Sequence, residues 1–240
     1  MRTVAVVLAG GTGQRFGGSP GSGGQLPKQL LVLAGMTLLE RSVAAFDTAP
    51  GVDEVLVVMA PGFTGQAAQV LAAGGYGKLA GIIEGGTARS DSTRRAIAAL
   101  NRRDRADCAV LFHDAARPLV EQRIIADCVA ALGSWQAVGV VVPASDTIVE
   151  TTDGAIARVL PRESLARCQT PQGFWLSVIS RAYELAAADP GFAAAAATDD
   201  CGVVLRYLPE VPIGAVPGSE RNIKITYPSD LDVAEALLRR

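Results

Sequence analysis

Basic charge, histidine and aromatic side chains are all scarce in this sequence. The 240 residues have a formal net charge of −2, whereas proteins that bind nucleic acids are more often basic and carry a wide Lys/Arg patch. We therefore expect no nucleic-acid partner, and any anionic ligand must be held by a few well-placed cations and backbone N–H groups. His113 is the single histidine, and aromatic residues make up 5% of the chain, so we expect a core of Val, Leu, Ile and Ala.

Closely spaced cysteines and long apolar runs are also missing. The cysteines lie far apart along the chain, which argues against a zinc knuckle or a redox pair and favours free thiols: Cys108, Cys128, Cys168 and Cys201. No run of about 20 apolar residues suits a membrane span. The apolar stretch at residues 4–8 is too short for a signal peptide. We expect a cytoplasmic protein without a membrane partner.

Short Val-rich segments alternate with helical patterns as far as Pro143. Val4–Leu8, Glu54–Met59 and Ala109–Phe112 are apolar, rich in β-branched residues and bounded by Gly, Pro or Asp, which predicts buried strands. Strands alternating with helices are typical of an α/β fold with a mostly parallel sheet and helices on both faces. Such sheets bind ligands beyond the carboxyl ends of their strands, so the loops at those ends are the candidate site.

A polar region interrupts this alternation from Ala144 to about Thr170. Within it, Thr152-Asp153-Gly154 is a turn signal between two short β-type segments, which predicts a two-stranded arm. A hairpin by itself is only marginally stable in water. We therefore expect the arm to pack on another surface, such as that of a second subunit.

A glycine-rich loop follows the first predicted strand and contains Ala9, Gly10, Gly11 and Gly13. Glycines at this place let backbone N–H groups approach a phosphate closely. The loop lacks the Gly-Lys-Ser/Thr of a Walker loop and the third glycine of a dinucleotide fingerprint. Arg15 and Lys28 flank it, and two cations with backbone donors suit a triphosphate. The alternative is a plain tight turn with solvated Arg15 and Lys28.

Charged residues also follow the strand at Ala109–Phe112. Asp114 is placed to hold a divalent metal ion, and Arg117 is placed to bind a second anion. The alternative is an Asp that caps a helix and pairs with Arg117. Phosphoryl transfer depends on positioning and charge more than on a base, so we interpret His113 as a structural residue.

Two further segments carry candidate binding residues. Gly86 follows a predicted strand and permits close approach, and Ser92 can donate to a base or a ribose, unless this loop only caps the next helix. Residues 220–226 alternate in a way that predicts a short strand. Lys224 would then point away from its isoleucine neighbours, either into a site or into solvent.

A series of short motifs occurs in the order of a known family. The motifs are Ala9-Gly10-Gly11-x-Gly13-x-Arg15, Pro27-Lys28-Gln29, His113-Asp114-Ala115-Ala116-Arg117-Pro118, Asp146-Thr147, Thr170-Pro171-Gln172, Thr198-Asp199-Asp200 and Asn222-Ile223-Lys224-Ile225-Thr226. With them, essentially the whole chain resembles the 2-C-methyl-D-erythritol 4-phosphate cytidylyltransferases of the non-mevalonate isoprenoid pathway. The resemblance implies transfer of CMP from CTP to that polyol phosphate, release of pyrophosphate, and Mg²⁺ as cofactor.

The resemblance also implies an architecture and a set of site residues. It implies one Rossmann-like domain over residues 1–240, with a protruding arm at about 144–170 that helps to form a homodimer. The implied catalytic residues are Arg15, Lys28 and Lys224. The implied nucleotide-binding residues are Ala9, Gly10, Gly11, Gly13, Gly86 and Ser92. The implied acceptor-binding residues are Asp114, which also lies near the metal, Arg117, Thr147, Arg162, Thr170 and Thr198, with Thr147 and Arg162 supplied by the partner's arm.

Two departures from the family pattern leave alternatives open. Residues 17–24 lengthen the glycine-rich loop, either as a lid or as a tolerated insertion. Gly10 stands where the methylerythritol enzymes usually have alanine, a form commoner in ribitol 5-phosphate cytidylyltransferases, whereas Asp114-Ala115-Ala116-Arg117 is typical of the methylerythritol enzymes. A ribitol 5-phosphate enzyme is therefore one alternative. A nucleotide-binding regulatory protein without turnover is another, although the retained cations and Asp114 argue against it.

Overall fold

Strands and helices alternate in the structure, a computed structural model that describes residues 1–11, 26–103, 107–192 and 199–239. The strands are β1 (Thr3–Ala9), β2 (Val32–Leu33), β3 (Met36–Thr37), β4 (Glu54–Met59), β5 (Leu79–Glu84), β6 (Ala109–Asp114), β7 (Ala137–Pro143), β8 (Val149–Thr152), β9 (Ala155–Val159), β10 (Ala166–Trp175) and β11 (Ile213–Pro217). The helices are α1 (Leu38–Asp47), α2 (Thr64–Ala72), α3 (Arg89–Arg103), α4 (Gln122–Ala131), α5 (Leu176–Ala188), α6 (Asp200–Tyr207) and α7 (Ser229–Leu238). Across these described ranges, no helix has both the length and the apolar character needed to cross a membrane.

The central sheet has the strand order β11-β7-β10-β6-β1-β4-β5. β1 pairs in parallel with β4 and β6, β4 with β5, and β7 with β11, whereas β10 is antiparallel to both its neighbours. The predicted α/β fold with a mostly parallel sheet is confirmed. After β1 the chain adds β4 and β5 on one side and then crosses to β6 on the other. This reversal lies between β1 and β6, which is where such sheets bind ligands.

Helices cover both faces of the sheet because successive residues of a strand face opposite sides. In β1, Ala5 and Val7 pack with α1, α2 and α4, whereas Val4 and Val6 pack with α3, α5 and α6. All four side chains are fully buried. A smaller cluster joins Ile225 to α7. The Val-rich segments are apolar throughout because the strands they form are covered on both faces.

β10 is a central strand that the sequence pattern did not predict. We expected a polar arm over about 144–170, but Ala166–Trp175 is a strand between β6 and β7, so the last residues of that arm belong to the central sheet. The polar side chains of Gln169, Thr170 and Gln172 are buried in it. Buried polar groups need hydrogen-bond partners, and a hydrophobicity pattern does not reveal partners that are distant in sequence.

The strands β8 and β9 form a separate two-stranded antiparallel sheet at the predicted turn signal. Asp153 and Gly154 have φ angles of 51° and 80°, the left-handed conformation that a tight hairpin turn requires. Every residue of β9 is exposed, including Ile156 at 69% and Val159 at 60%. The hairpin therefore leaves apolar side chains on the surface of this chain.

The segment around Lys224 is not the short strand that its alternating pattern predicted. Residues 223–226 pair with no strand in the described part of the chain. Instead, the N–H of Ile225 donates to the carbonyl of Ala116 at 2.8 Å, and the N–H of Thr226 donates to Asp230 at 2.7 Å. The fully buried Ile225 turns Lys224 toward the opposite side, as expected, without any strand pairing.

Candidate active site

The crevice between β1 and β6 collects several of the predicted site residues. Leu8 of β1 lies beside Asp114 of β6 in the parallel register, and Gly10 and Gly11 directly follow β1. β5 ends on the same edge of the sheet and leads into Gly86 and α3. Because the carboxyl ends of parallel strands share one edge, both glycine loops and Asp114 face one crevice.

Asp114 is the charged centre of this crevice. Its Oδ1 lies 3.1 Å from Nε of Arg89, and its Oδ2 lies 2.7 Å from Nζ of Lys224. Burial alone would raise the pKa of the Asp114 carboxyl, but the two cations more than offset burial and hold that pKa well below its usual range. Asp114 is therefore a carboxylate at any physiological pH.

Lys28 and Lys224 are brought together through the backbone of Ile225. The Nζ of Lys28 donates to the carbonyl of Ile225 at 2.8 Å. Ile225 follows Lys224 directly, so the two ammonium groups belong to the same part of the crevice. Of the three predicted catalytic cations, the structure thus places Lys224 on Asp114 and Lys28 on the adjoining carbonyl of Ile225.

Arg117 connects two backbone segments at the edge of the crevice. Its Nη1 donates to the carbonyl of Asn222 at 2.7 Å, and its Nη2 donates to the carbonyl of Cys168 at 3.3 Å. Asn222 is fully buried, and its Nδ2 donates to the carbonyl of Thr170 at 2.9 Å. Arg117 therefore lies at the predicted place. Only two of the five N–H donors of a guanidinium are engaged in these contacts, so others remain for an anion.

His113 is engaged through both ring nitrogens. Nε2 lies 3.0 Å from the carbonyl of Arg117, and Nδ1 lies 3.0 Å from Oγ1 of Thr170. A carbonyl only accepts, so Nε2 carries the proton and Nδ1 accepts from the Thr170 hydroxyl. That hydroxyl in turn accepts the N–H of Asp114 at 3.1 Å. Burial lowers the pKa of His113 to about 4, so the ring is neutral and positions Thr170 and Asp114.

The two glycine loops approach Ser92 closely. Its Oγ accepts the N–H of Gly86 at 3.2 Å and donates to the carbonyl of Ala88 at 3.3 Å. A Cβ at Gly10 would lie 2.5 Å from this Oγ, and a Cβ at Gly86 would lie 2.1 Å from Cβ of Asp91. Neither position has room for a side chain in this arrangement. Three of the predicted nucleotide-binding residues thus lie in direct contact.

The remaining predicted residues divide into three groups. Ala9 ends β1, and the carbonyl of Gly11 accepts from Nε2 of Gln29 at 3.0 Å, so both border the crevice. Thr147 and Arg162 are exposed beside the hairpin, and within the described ranges no hydrogen bond or ion pair joins either to Asp114. The residues outside the described ranges are Gly13, Arg15 and Thr198, together with the insertion at residues 17–24.

A metal ion on Asp114 would compete with the cations that already occupy both carboxylate oxygens. Among the residues that the structure describes, no group of three or more His, Cys, Asp or Glu side chains could hold a metal ion. Mg²⁺ in nucleotide enzymes commonly uses one or two carboxylates together with substrate phosphates and water. The donors present in this arrangement do not fit a protein-held Mg²⁺, so Asp114 as a metal ligand stays a prediction without structural support.

Arg89, Gln172 and Asp200 belong to the site although the sequence analysis gave them no role. Arg89 lies between Asp114 and Asp200, with its Nη1 at 2.8 Å from Oδ2 of Asp200. The Oε1 of Gln172 accepts the N–H of Asp200 at 3.0 Å. Arg89 precedes Ser92 by three residues on α3, and such residues share a helix face, so the Ser92 prediction contained a signal for Arg89. Asp200 belongs to the Thr198-Asp199-Asp200 motif, which gave it no role of its own.

A Rossmann-like sheet with two close glycine loops and with Lys224 on Asp114 at the switch point is the arrangement of a nucleotidyltransferase. A model of the family 2-C-methyl-D-erythritol 4-phosphate cytidylyltransferase matches residues 3–240. The chain belongs to this family, and the resemblance drawn from its short motifs is confirmed.

Individual relatives agree with this assignment. The chain is 55% identical over 243 residues to the 2-C-methyl-D-erythritol 4-phosphate cytidylyltransferase of Thermobifida fusca (strain YX), covering 99% of this chain and 94% of that protein. It is 36% identical to the bifunctional ribulose 5-phosphate reductase/CDP-ribitol pyrophosphorylase of Haemophilus influenzae, covering 99% of this chain but 48% of that protein. The crystal structure of 2-C-methyl-D-erythritol 4-phosphate cytidylyltransferase from Thermus thermophilus matches with a TM-score of 0.72 and 32% identity, covering 99% and 98% of the two chains.

The buried neutral state of His113 predicts a specific pH dependence. Histidine in the unfolded chain takes up a proton near pH 6.5, but folded His113 does so only near pH 4. The contribution of neutral His113 to the free energy of unfolding is therefore fully present above pH 6.5 and is lost as the pH falls toward 4. The loss amounts to about 3 kcal/mol, since one pKa unit corresponds to about 1.4 kcal/mol. The free energy of unfolding, measured with denaturant, should fall more between pH 6.5 and pH 4 in the wild-type protein than in His113→Gln.

The single histidine also permits a direct measurement. In untagged protein, the only histidine Hε1 resonance in the NMR spectrum belongs to His113. It should keep its neutral chemical shift at pH 5.5 and move only on approaching pH 4. A midpoint near 6.5, or parallel stability curves for the two proteins, would contradict the assigned hydrogen bonds.

Proposed function

We propose that this protein transfers CMP from CTP to 2-C-methyl-D-erythritol 4-phosphate and releases pyrophosphate. The observation that carries the proposal is the contact of Lys224 with Asp114 at the switch point of the sheet, beside the glycine loops and with Lys28 bound to the next backbone carbonyl, that of Ile225. The activity named for the Thermobifida fusca relative, at 55% identity over nearly the whole chain, supports it.

The reaction that fits this crevice is a direct in-line displacement. An oxygen of the acceptor phosphate forms a bond to the α-phosphorus of CTP, the bond from that phosphorus to the bridging oxygen breaks, and its electron pair leaves with pyrophosphate. The acceptor phosphate is already largely ionised at neutral pH, because its second pKa is about 6. No general base is required, which agrees with the engagement of His113 through both nitrogens.

The lysines counter the repulsion between the two anionic substrates. The side chain of Lys224 is 41% exposed while its ammonium contacts Asp114, so it can also reach a phosphate in the crevice. Lys28 donates to the carbonyl of Ile225, the residue that follows Lys224. Together with Arg15, they would stabilise charge that develops on the α-phosphate and on pyrophosphate. Arg117 would orient the acceptor phosphate with its remaining donors.

Magnesium belongs to the proposal as an ion that arrives with the triphosphate. Mg²⁺ held by the phosphates would neutralise part of the charge on CTP and on leaving pyrophosphate. The engagement of both Asp114 oxygens by cations favours coordination by the phosphates over coordination by this carboxylate.

A homodimer with shared sites is the proposed assembly of the single domain at residues 1–240. Thr147 and Arg162 are exposed, and no contact among the described residues connects them to Asp114. If they bind the acceptor, they would do so in the crevice of a second subunit. The exposed Ile156 and Val159 offer the hairpin an apolar surface for docking on a partner. The arm of one subunit would then complete the site of the other.

A second candidate acceptor is ribitol 5-phosphate. The similarity to the CDP-ribitol pyrophosphorylase of Haemophilus influenzae favours it, as does Gly10. Gly10, however, contacts Ser92 on the nucleotide side, whereas Asp114 and Arg117 lie at the acceptor side of the proposed site. The residues nearer the acceptor should weigh more in its selection.

The acceptor prediction is a preference for 2-C-methyl-D-erythritol 4-phosphate in kcat/KM. A pocket that only accommodates a methyl group discriminates by about 1–3 kcal/mol, so some turnover with ribitol 5-phosphate is expected. Pyrophosphate release should be measured with each acceptor under identical conditions. A preference for ribitol 5-phosphate would overturn the assigned acceptor but not the transfer of CMP. No pyrophosphate release with either acceptor would overturn both assignments.

The nucleotide site predicts a strong effect of Gly86→Ala. The new Cβ would collide with Asp91, so the loop must shift and the Gly86 N–H must leave Ser92. KM for CTP should rise by about tenfold or more, which corresponds to about 1.4 kcal/mol. Gly65→Ala in α2 is the matched control, because no atom of the described residues lies within 4 Å of the added Cβ. Equal KM values in the two variants would remove Gly86 from the nucleotide site.

Site sharing predicts complementation between two inactive chains. Lys28→Ala and Arg162→Ala each damage a different half of the proposed composite site. Mixed dimers should regain about half of the wild-type activity, because one of their two composite sites has both residues intact. Differently tagged chains, co-purified to verify mixing, would provide the sample. An inactive, verified mixed dimer would show that sites are not shared.

A further inference from the structure

A continuous series of charges runs from a buried carboxylate to the proposed catalytic lysine. Arg89 contacts Asp200 through Nη1 at 2.8 Å and Asp114 through Nε at 3.1 Å. Asp114 contacts Lys224 at 2.7 Å through its other oxygen. The series therefore connects α6, α3, β6 and the segment around Lys224, and of its four members only Lys224 has a substantially exposed side chain.

Asp200 is the fixed end of this series. Its side chain is fully buried, and its Oδ1 accepts the hydroxyl of Tyr183 at 2.7 Å. Its backbone N–H donates to Gln172 of β10 at 3.0 Å. A carboxylate in such a place is tolerated only when it is paired, and Arg89 is its ion-pair partner. The position of the Arg89 guanidinium is thus set in part by a buried carboxylate on α6.

Arg89 in turn limits the rotation of the Asp114 carboxylate. The terminal torsion of an aspartate has a broad energy minimum, so a carboxylate with a single partner could turn its plane about that torsion. The contact between Arg89 and Oδ1 leaves Oδ2 for Lys224. It also divides the negative charge between two cations, which weakens the hold of Asp114 on the lysine and lets Lys224 turn to a phosphate.

We propose that Arg89 and Asp200 are positioning residues that act on the reaction through Asp114 and Lys224. The proposal rests on the function proposed above, because it gives Lys224 its role at the phosphates. An ion pair that merely joins α3 to α6 would affect stability but would have no kinetic connection to Lys224. The two possibilities therefore differ in how substitutions at Asp200 and Lys224 combine.

A double-mutant cycle between Asp200→Asn and Lys224→Gln tests this connection. Asparagine keeps an acceptor for Tyr183 but removes the charge that anchors Arg89. Asp200→Asn should lower kcat by about tenfold and leave KM for CTP within about twofold, because the lost interaction belongs to the transition state. Lys224→Gln should lower kcat by about 100-fold. The double variant should be no slower than Lys224→Gln alone.

Multiplication of the two effects would overturn the proposal, because residues that act independently give additive free energies. An unchanged kcat in folded Asp200→Asn would also overturn it. Arg89→Lys provides a second route if Asp200→Asn fails to fold: it keeps a cation but cannot contact both carboxylates with the guanidinium geometry. Its loss of kcat should likewise disappear in the Lys224→Gln background, and a multiplied effect would count against the proposal.

Arg102→Gln is the matched control on the same helix. Arg102 is exposed near the end of α3, and its Nε donates to the carbonyl of Ala98, so this variant should keep wild-type kinetics. Wild-type protein that releases no pyrophosphate with either acceptor would refute the proposed function itself. Active wild-type protein with independent Asp200 and Lys224 effects would refute only the positioning role.

Discussion

The Asp114 carboxylate, held between Arg89 and Lys224, is the interaction on which the arrangement of the crevice depends. It ends a buried strand and is itself almost enclosed, so it stays ionised only because both cations are present. Removing either cation would leave a nearly enclosed carboxylate with less compensation for its charge, which is unfavourable. The same contacts bring α3 and the Ile225 segment onto the end of β6. The packing of these segments and the gathering of Arg89 and Lys224 at the crevice therefore have one physical cause.

The polar strand β10 explains how motifs that are distant in sequence reach this carboxylate. Thr170 accepts the N–H of Asp114 and donates to His113, while Gln172 accepts from the first N–H group of α6. Each of these side chains is buried and satisfies a buried backbone or side-chain group, as buried polar groups must. A strand that is polar in sequence can thus occupy the middle of a sheet. Over part of β10, hydrogen bonds to Asp114, His113 and Asp200 take the place of apolar packing and hold these site residues in position.

The candidate site was predictable where a residue follows a strand and was not predictable where a partner lies elsewhere in the chain. Gly10 and Gly86 come just after strands and Asp114 ends one, and the topology of parallel sheets alone places them together. Lys224 was placed only by its motif, since the strand predicted for it is absent from the described residues. Arg89 and Asp200 show the limit most clearly, because their roles arise from a contact between α3 and α6 that no local pattern encodes.

The sequence by itself determined the α/β class, the mostly parallel sheet, the position of the hairpin turn and the family, because each rests on local periodicity, turn chemistry or ordered motifs. The tertiary structure alone decided that Ala166–Trp175 is a central strand, that His113 is neutral and engaged on both sides, and that both oxygens of Asp114 contact cations. These features depend on burial and on which groups meet across the fold. Desolvation and ion pairing act between residues that are neighbours in space, and the order of residues along the chain does not state which residues those are.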